Sequence, residues 1–208
     1  MFATPTAKTD PFFILASGSP RRRELLSGAG YIFSCVSPAV DESCRPGELP
    51  GAYVQRLAAA KSAAGYEAGG RILPSLGADT VVVLDGRILG KPRDHDDAVA
   101  MLSALSGRVH QVLTGIALTV GIGSTAVDCV TTSVQFRFLT TAEIEAYWLT
   151  GEPRDKAGAY GIQGQGGSLV AQTDGSYTNV VGLPMMETAM MLASYGIFPS
   201  ASLMGMLF

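Results

Sequence analysis

At 208 residues, 47% hydrophobic and 16% charged, with a formal net charge of -3, the chain has the length and apolar content of one globular domain, or one domain with two lobes, around a sizeable core. The slight acidity argues against general nucleic-acid binding, which needs a basic face, so any anionic partner must be met by a local cluster. Cys35, Cys44 and Cys129 are odd in number and lack C-x-x-C spacing, which suggests neither a disulfide framework nor a zinc site and fits a reducing cytoplasm; no apolar run of about 18 residues and no signal-peptide pattern is present.

Residues 1–11 are short and polar and read as an extension. Phe12-Phe13-Ile14-Leu15 predicts a buried strand, Ser17-Gly18 a turn, Ser19 a helix N-cap and Pro20 the first helical residue, where its missing N–H is harmless. The first turn then carries Arg21, Arg22 and Arg23. That is the wrong sign for a helix N-terminus, whose dipole and free N–H groups favour negative charge. A polyphosphate at this point would satisfy both the N–H groups and the guanidinium forks; a solvated basic helix start is the plainer alternative.

Gly28 or Gly30 should end this helix, and residues 31–37 alternate as a strand before Val40-Asp41-Glu42, set in a proline-containing loop. A second helix is predicted over residues 51–64, with Val54, Leu57, Ala58 and Lys61 on one inward stripe. Lys61 there either snorkels at the core's edge or serves a site. Residues 76–84 make the strongest predicted strand, closed by the hairpin signature Asp85-Gly86. Asp79 and Thr80 interrupt its apolar run. A carboxylate in such a strand must be paired, hydrogen-bonded or metal-bound, because a bare buried charge is costly. Gly90-Lys91-Pro92 is not a P-loop, since Asp85 and Pro92 stand where glycine and Ser/Thr are required; Lys91 is a turn lysine or a fixed point charge.

Residues 94–105 read as an architectural helix, and residues 109–120 and 125–139 as strands. The joint Gly121-Ile122-Gly123 with Ala126 spells G-x-G-x-x-A, but a strand and not a helix follows, so a hairpin is expected and not a dinucleotide loop. His95 and His110 stand alone as surface or core histidines. Thr140 and Glu143 form a capping box for a helix to about residue 150. Residues 155–164 are rich in glycine, which would let the backbone approach a flat ligand, and Gln163 offers a donor and an acceptor to a nucleobase edge; a glycine-rich surface loop is the alternative. Residues 168–173, Asp174-Gly175 and residues 177–181 read as a second hairpin, and Pro184 as the start of a last helix ending near Gly196.

Taken together, Ser-Gly-Ser-Pro-Arg-Arg at 17–22, Asp41-Glu42, Lys61, Gly-Ala-Asp-Thr-Val-Val at 77–82, Gly-Lys-Pro at 90–92, Gly-Glu-Pro at 151–153, Asp-Lys-Ala-Gly-Ala-Tyr-Gly-Ile-Gln-Gly at 155–164 and Asn-Val-Val-Gly-Leu-Pro at 179–184 resemble the Maf family of nucleoside triphosphate pyrophosphatases. The Ala-Tyr-Gly-Ile-Gln-Gly segment is similar to the dTTP/UTP branch rather than the branch acting on 7-methyl-GTP. The resemblance implies a two-lobed α/β fold like the inosine triphosphate pyrophosphatases, with a long mixed β-sheet flanked by helices and a central cleft. It spans residues 12–197, leaving 1–11 as an extension and 198–208 as an apolar tail. It further implies a divalent cation, magnesium or manganese, a cytoplasmic location and a homodimer, with no membrane or nucleic-acid polymer as partner.

By position, the resemblance makes Asp79 the proton acceptor and associates Arg21, Thr80 and Gln163 with substrate choice. Ser19, Arg22, Glu42, Lys61 and Lys91 fall at other cleft positions. The implied reaction is attack of water on the α-phosphorus, releasing pyrophosphate and the monophosphate. Glu42 and Asp79 are expected to hold the metal, leaving open whether Asp79 is base, ligand or both, while Arg21, Arg22, Lys61, Lys91 and the first helix's N–H groups offset phosphate charge. The rival expectations are a pyrophosphatase for other or modified nucleotides, and a nucleotide-binding regulator of cell division.

Overall fold

Strand β3 (Ser75–Leu84) and strand β5 (Val109–Gly121) pair antiparallel through the centre of the molecule, and their side-chain alternation divides it. The structure, a computed structural model, describes residues 12–200; the N-terminal extension and the apolar stretch of the tail lie outside the described residues. On one face of β3, Leu76 and Ala78 join one core with Phe13, Leu15, Leu26 and Leu192, whereas Val82 and Leu84 join a second with Leu102, Leu105, Phe136 and Tyr147. Thr80 lies at the boundary between these cores, with Thr114 as its cross-strand partner. The two lobes are therefore two apolar clusters strung along the same strands, with a polar pair between them.

The other face of β3 receives helix α2 (Pro50–Ala68), through Val54 against Val81, Val83 and Leu113. The helix can lie this close because Gly77 and Gly115 lack side chains: a Cβ at either would sit 2.3 Å from a backbone oxygen of α2, Ala58 O and Val54 O respectively. The consequence is functional. Lys61 of α2 is brought directly over Asp79.

Strands β1 (Phe13–Ala16) and β2 (Phe33–Val36) add to β3 in parallel, and β4 (Arg87–Leu89), β6 (Ser124–Phe136) and β7 (Val170–Asp174) complete a mixed seven-stranded sheet of order β2-β1-β3-β5-β6-β7, with β4 on β3. Helix α1 (Pro20–Gly28) starts as expected, with Ser19 as its N-cap, and α3 (His95–Leu105) and α4 (Thr141–Leu149, with the complete Thr140–Glu143 capping box) cover the second core. Asp85 and Gly86 both have positive φ, as a type I′ turn requires, and Ile122-Gly123 is a hairpin joint.

The expected second hairpin is not formed. Residues 170–174 do make β7, but on β6, and the chain then turns into helix α5 (Tyr177–Val181). Ser176 caps α5, and Asn179 is buried beneath it, its amide donating to Val112 O (3.0 Å) and Thr132 Oγ1 (2.9 Å). Those long-range partners, invisible in the alternation of Tyr177-Thr178-Asn179, favour the helical turn. Helix α6 (Met185–Ala193) follows, with Pro184 as its N-cap residue, and stops short of Gly196. Among the described residues no helix is long and apolar enough to cross a membrane.

Candidate active site

Between the two cores opens a cleft of about 870 Å³, and Ser19, Arg21, Arg22, Glu42, Lys61, Asp79, Thr80, Lys91 and Gln163 all line it. Segments far apart in sequence thus converge on one cavity, as a triphosphate site requires. Their individual roles differ from a simple ring of phosphate contacts.

Asp79 projects from β3 toward α2, where the Lys61 ammonium donates to its Oδ1 at 2.7 Å and also reaches Glu42 Oε1 at 2.6 Å. One cation therefore joins two carboxylates whose surroundings push them in opposite directions. Burial raises the Asp79 carboxyl above the usual aspartate range, and Lys61 and Arg22 offset only part of that cost. Glu42 is more exposed, and the Lys61 hydrogen bond holds it below the usual glutamate range. Of the two, Asp79 has the greater proton affinity.

The expected metal ligands are the acids gathered on Lys61. Among the described residues no group of three or more His, Cys, Asp or Glu side chains is placed to hold a metal ion. Two carboxylates converging on a held positive charge do fit a magnesium-type ion, which takes one or two protein carboxylates together with substrate phosphate oxygens. Lys61 occupies their point of convergence, so the ion would share the acids with it.

Arg22 departs from its expected role. Its guanidinium turns inward, donating from Nε to Gly182 O (2.7 Å), from Nη1 to Ala78 O (2.9 Å) and Ser17 Oγ (3.2 Å), and from Nη2 to Thr80 Oγ1 (3.0 Å). It ties α1, β3 and the turn before α6 into one wall. Most of its donors are engaged, so it serves the cleft as a strut rather than as an open phosphate fork. Thr80 is similarly engaged: its hydroxyl accepts from Arg22 Nη2, contacts Thr114 Oγ1 at 2.9 Å and has Gly182 O at 3.4 Å as an acceptor, while Thr114 Oγ1 reaches Asn179 O at 3.1 Å. Ser19 Oγ accepts from Arg22 N as the cap of α1. By contrast, the side chains of Arg21, Lys91 and Gln163 make no hydrogen bond or contact ion pair among the described residues, and they are free to meet a ligand.

Tyr53, Glu152, Asp155 and Lys156 also line the cleft; the last three lie within the motifs that carry the resemblance without an assigned role, and Tyr53 lies outside them. Tyr53 precedes Lys61 by two helical turns on the same face, a spacing that would have flagged it. Its hydroxyl, pushed up to about 12 chiefly by burial, donates to Glu42 O at 2.8 Å and so holds the acid's loop on α2. Arg56 reinforces this hold through Glu48 (2.6 Å) and Ser43 O (3.0 Å). Lys156 bonds Glu152 O and pairs with Asp155.

The glycines of the 155–164 stretch also have a different cause from the one expected. A Cβ on Gly158 would meet Val82 at 2.9 Å, and one on Gly164 would meet the Glu152 carboxylate at 2.3 Å. They make room for protein groups, and Gly161 and Gly164 line the cleft as well. The two histidines are structural: His95 bridges Asp96 and Glu145 at the surface, and buried His110 contacts the Tyr160 hydroxyl at 2.8 Å.

Residues 12–195 match the family described as Maf-like protein. The chain belongs to the Maf family. Within it, this Maf chain is 53% identical over 186 residues to a dTTP/UTP pyrophosphatase of Hahella chejuensis, covering 88% of the chain and 92% of that relative. It is 52% identical over 183 residues to a dTTP/UTP pyrophosphatase of Pseudoalteromonas atlantica, covering 86% and 95%. Among solved structures it is similar to a nucleoside-triphosphatase, dITP/XTP pyrophosphatase, of Mycobacterium abscessus at a TM-score of 0.41 and 18% identity, with 94% of the chain and 99% of that structure covered, too slight a likeness to build on.

Proposed function

We propose that this chain hydrolyses dTTP and UTP to the monophosphate and pyrophosphate, with water attacking the α-phosphorus. The observation that carries the reading is Asp79: a carboxylate on a central strand, buried yet kept beside Lys61, in the wall of a cleft that also presents two unengaged cations and an unengaged amide. Relatives about half identical over most of their length, named dTTP/UTP pyrophosphatase, support the same reading.

In this mechanism Asp79 accepts the proton of the attacking water. Its raised proton affinity makes it a better base than an exposed aspartate, and the Lys61 ammonium favours its ionised form. Arg21 and Lys91 offset charge on the triphosphate and on the departing pyrophosphate, while the Arg21 backbone N–H, left free between Pro20 and the capped Arg22 N–H, donates to a phosphate oxygen. A divalent cation held by Glu42 and Asp79 would supply Lewis-acid polarisation of the phosphates. Gln163 complements the O4 and N3–H edge shared by uracil and thymine, where cytosine has the reverse polarity. The cytoplasm is the proposed setting.

A panel of nucleoside triphosphates, with pyrophosphate release read with and without magnesium, tests the proposal. dTTP and UTP should be turned over well ahead of CTP and the purine nucleotides, and only with the metal present. Preference for a purine triphosphate, or binding of UTP without turnover, would overturn it.

A further inference from the structure

The segment that carries Gln163 has almost no regular structure of its own. Short 3-10 turns at Glu152–Asp155, Ala157–Ala159 and Gln165–Leu169 are joined by Lys156 and by the irregular residues 160–164, and strand pairing begins again only at Val170. What fixes its path is a carboxylate. Glu152 Oε1 accepts from the Tyr147 hydroxyl (2.8 Å) and from Gly166 N (3.2 Å), and Oε2 accepts from Gln165 N (2.8 Å). The Tyr147 oxygen in turn accepts from Gly161 N at 3.1 Å. One acid and one phenol thus take up three backbone N–H groups on both sides of Gln163.

Three glycines pack against this pair, two of them so closely that a side chain would force it to shift and the third in tight contact. A Cβ at Gly164 would lie 2.3 Å from Glu152 Oε2, at Gly166 2.4 Å from the Tyr147 oxygen, and at Gly161 3.1 Å from Glu152 Oε1. The loop is wrapped around the carboxylate, with Gln163 exposed at its tip in the cleft wall. A side-chain amide can read a base edge only if its backbone is held, because a misplacement of even 1 Å loses the hydrogen-bond geometry.

We infer that Glu152, with Tyr147, is the positioning residue for base selection: it holds the 161–167 loop so that Gln163 meets the pyrimidine edge, and it touches neither base nor phosphate. The inference deepens the proposed pyrophosphatase activity and rests on it.

The test compares Glu152→Gln and Tyr147→Phe with the unmodified chain. Glu152→Gln keeps the shape but turns an NH2 group toward one of the backbone N–H groups; Tyr147→Phe removes the hydroxyl and keeps the ring. In both, KM for UTP should rise and the UTP-over-CTP ratio of kcat/KM fall by about tenfold or more, while inhibition by inorganic tripolyphosphate, which has no base, stays within about twofold of the parent. Amide hydrogen exchange should show lost protection at Gln165 and Gly166 in Glu152→Gln. A uniform loss across UTP, CTP and tripolyphosphate, or an unchanged UTP-over-CTP ratio with those amides exposed, would overturn the inference by making Glu152 merely structural. An unmodified chain that releases no pyrophosphate from UTP would instead sink the activity proposal. Calorimetric affinities for UTP and CTP, read beside the exchange data, then decide the positioning role separately.

Discussion

The two sides of the cleft are built in opposite ways. On the acid side, Asp79, Lys61 and Arg22 stand on strand and helix, and their aim follows from which face of β3 or α2 each residue occupies. On the loop side, Gln163 stands on a chain of turns whose course is set by the Glu152 carboxylate and the Tyr147 hydroxyl. Under the proposed activity, the group that accepts a proton sits where backbone ladders hold it, and the group proposed to distinguish bases sits where a few side-chain contacts do. The acid side should therefore resist change in geometry but fail outright when a group is lost, whereas the loop side should lose discrimination before turnover.

The largest effect expected is at Asp79. Asp79→Asn should lower turnover by about 10²–10⁴ while the UTP dissociation constant, measured by calorimetry, changes little; undiminished turnover would remove the acid side from the chemistry. Next is Arg22. Arg22→Leu removes the guanidinium donor from Ala78 O and leaves Gly182 O only the longer Thr80 contact, and should cost about 3 kcal/mol in urea unfolding. Lysine should not restore the loss, since it lacks the fork. Arg21→Ala, one residue away, should leave stability within about 0.5 kcal/mol and act on KM for the triphosphate. Equal destabilisation by the two would erase the distinction between strut and ligand.

A pH series sharpens the comparison on the loop side. Burial lowers the His110 pKa from 6.5 to about 4, and His110 supports Tyr160 in the cleft wall. A histidine depressed in the fold contributes stability above its unfolded pKa and loses it as pH falls through the window from 6.5 to about 4. At about pH 4.5 the loss should approach 2.5 kcal/mol, and His110→Gln should flatten that part of the profile in urea titrations. Asp79 has the opposite sign: its raised pKa favours the fold at low pH, and that contribution fades as pH rises through its folded value. The smallest effect is Gln163→Ala, which should reduce the UTP-over-CTP ratio by about tenfold with kcat for UTP nearly kept. Equal loss for both nucleotides would place discrimination elsewhere on the loop.

Much of the acid side was legible in the sequence. Ser19-Pro20 marked the start of α1, an aspartate inside an apolar strand demanded a partner, and a lysine on the inward stripe of a helix offered one; Lys61 is indeed that partner. Less could be read where long-range contacts override local pattern. The alternation at residues 177–181 suggested a strand, and Asn179's buried hydrogen bonds make it a helix. The three arginines looked alike in sequence, yet Arg22 alone turns into the wall between Ala78 and Gly182.

Alternation along β3, capping at α1 and α4, and the turn chemistry of Asp85-Gly86 depend on neighbours within a few residues, so the sequence by itself determined the main elements and the family they form. Which charges are spent on the protein and which are left for a ligand depends on backbone oxygens and amides brought together from distant segments. Only the tertiary structure decided that Arg22 braces the wall, that Lys61 lies between two acids, and that the glycines around Gln163 make room for Glu152.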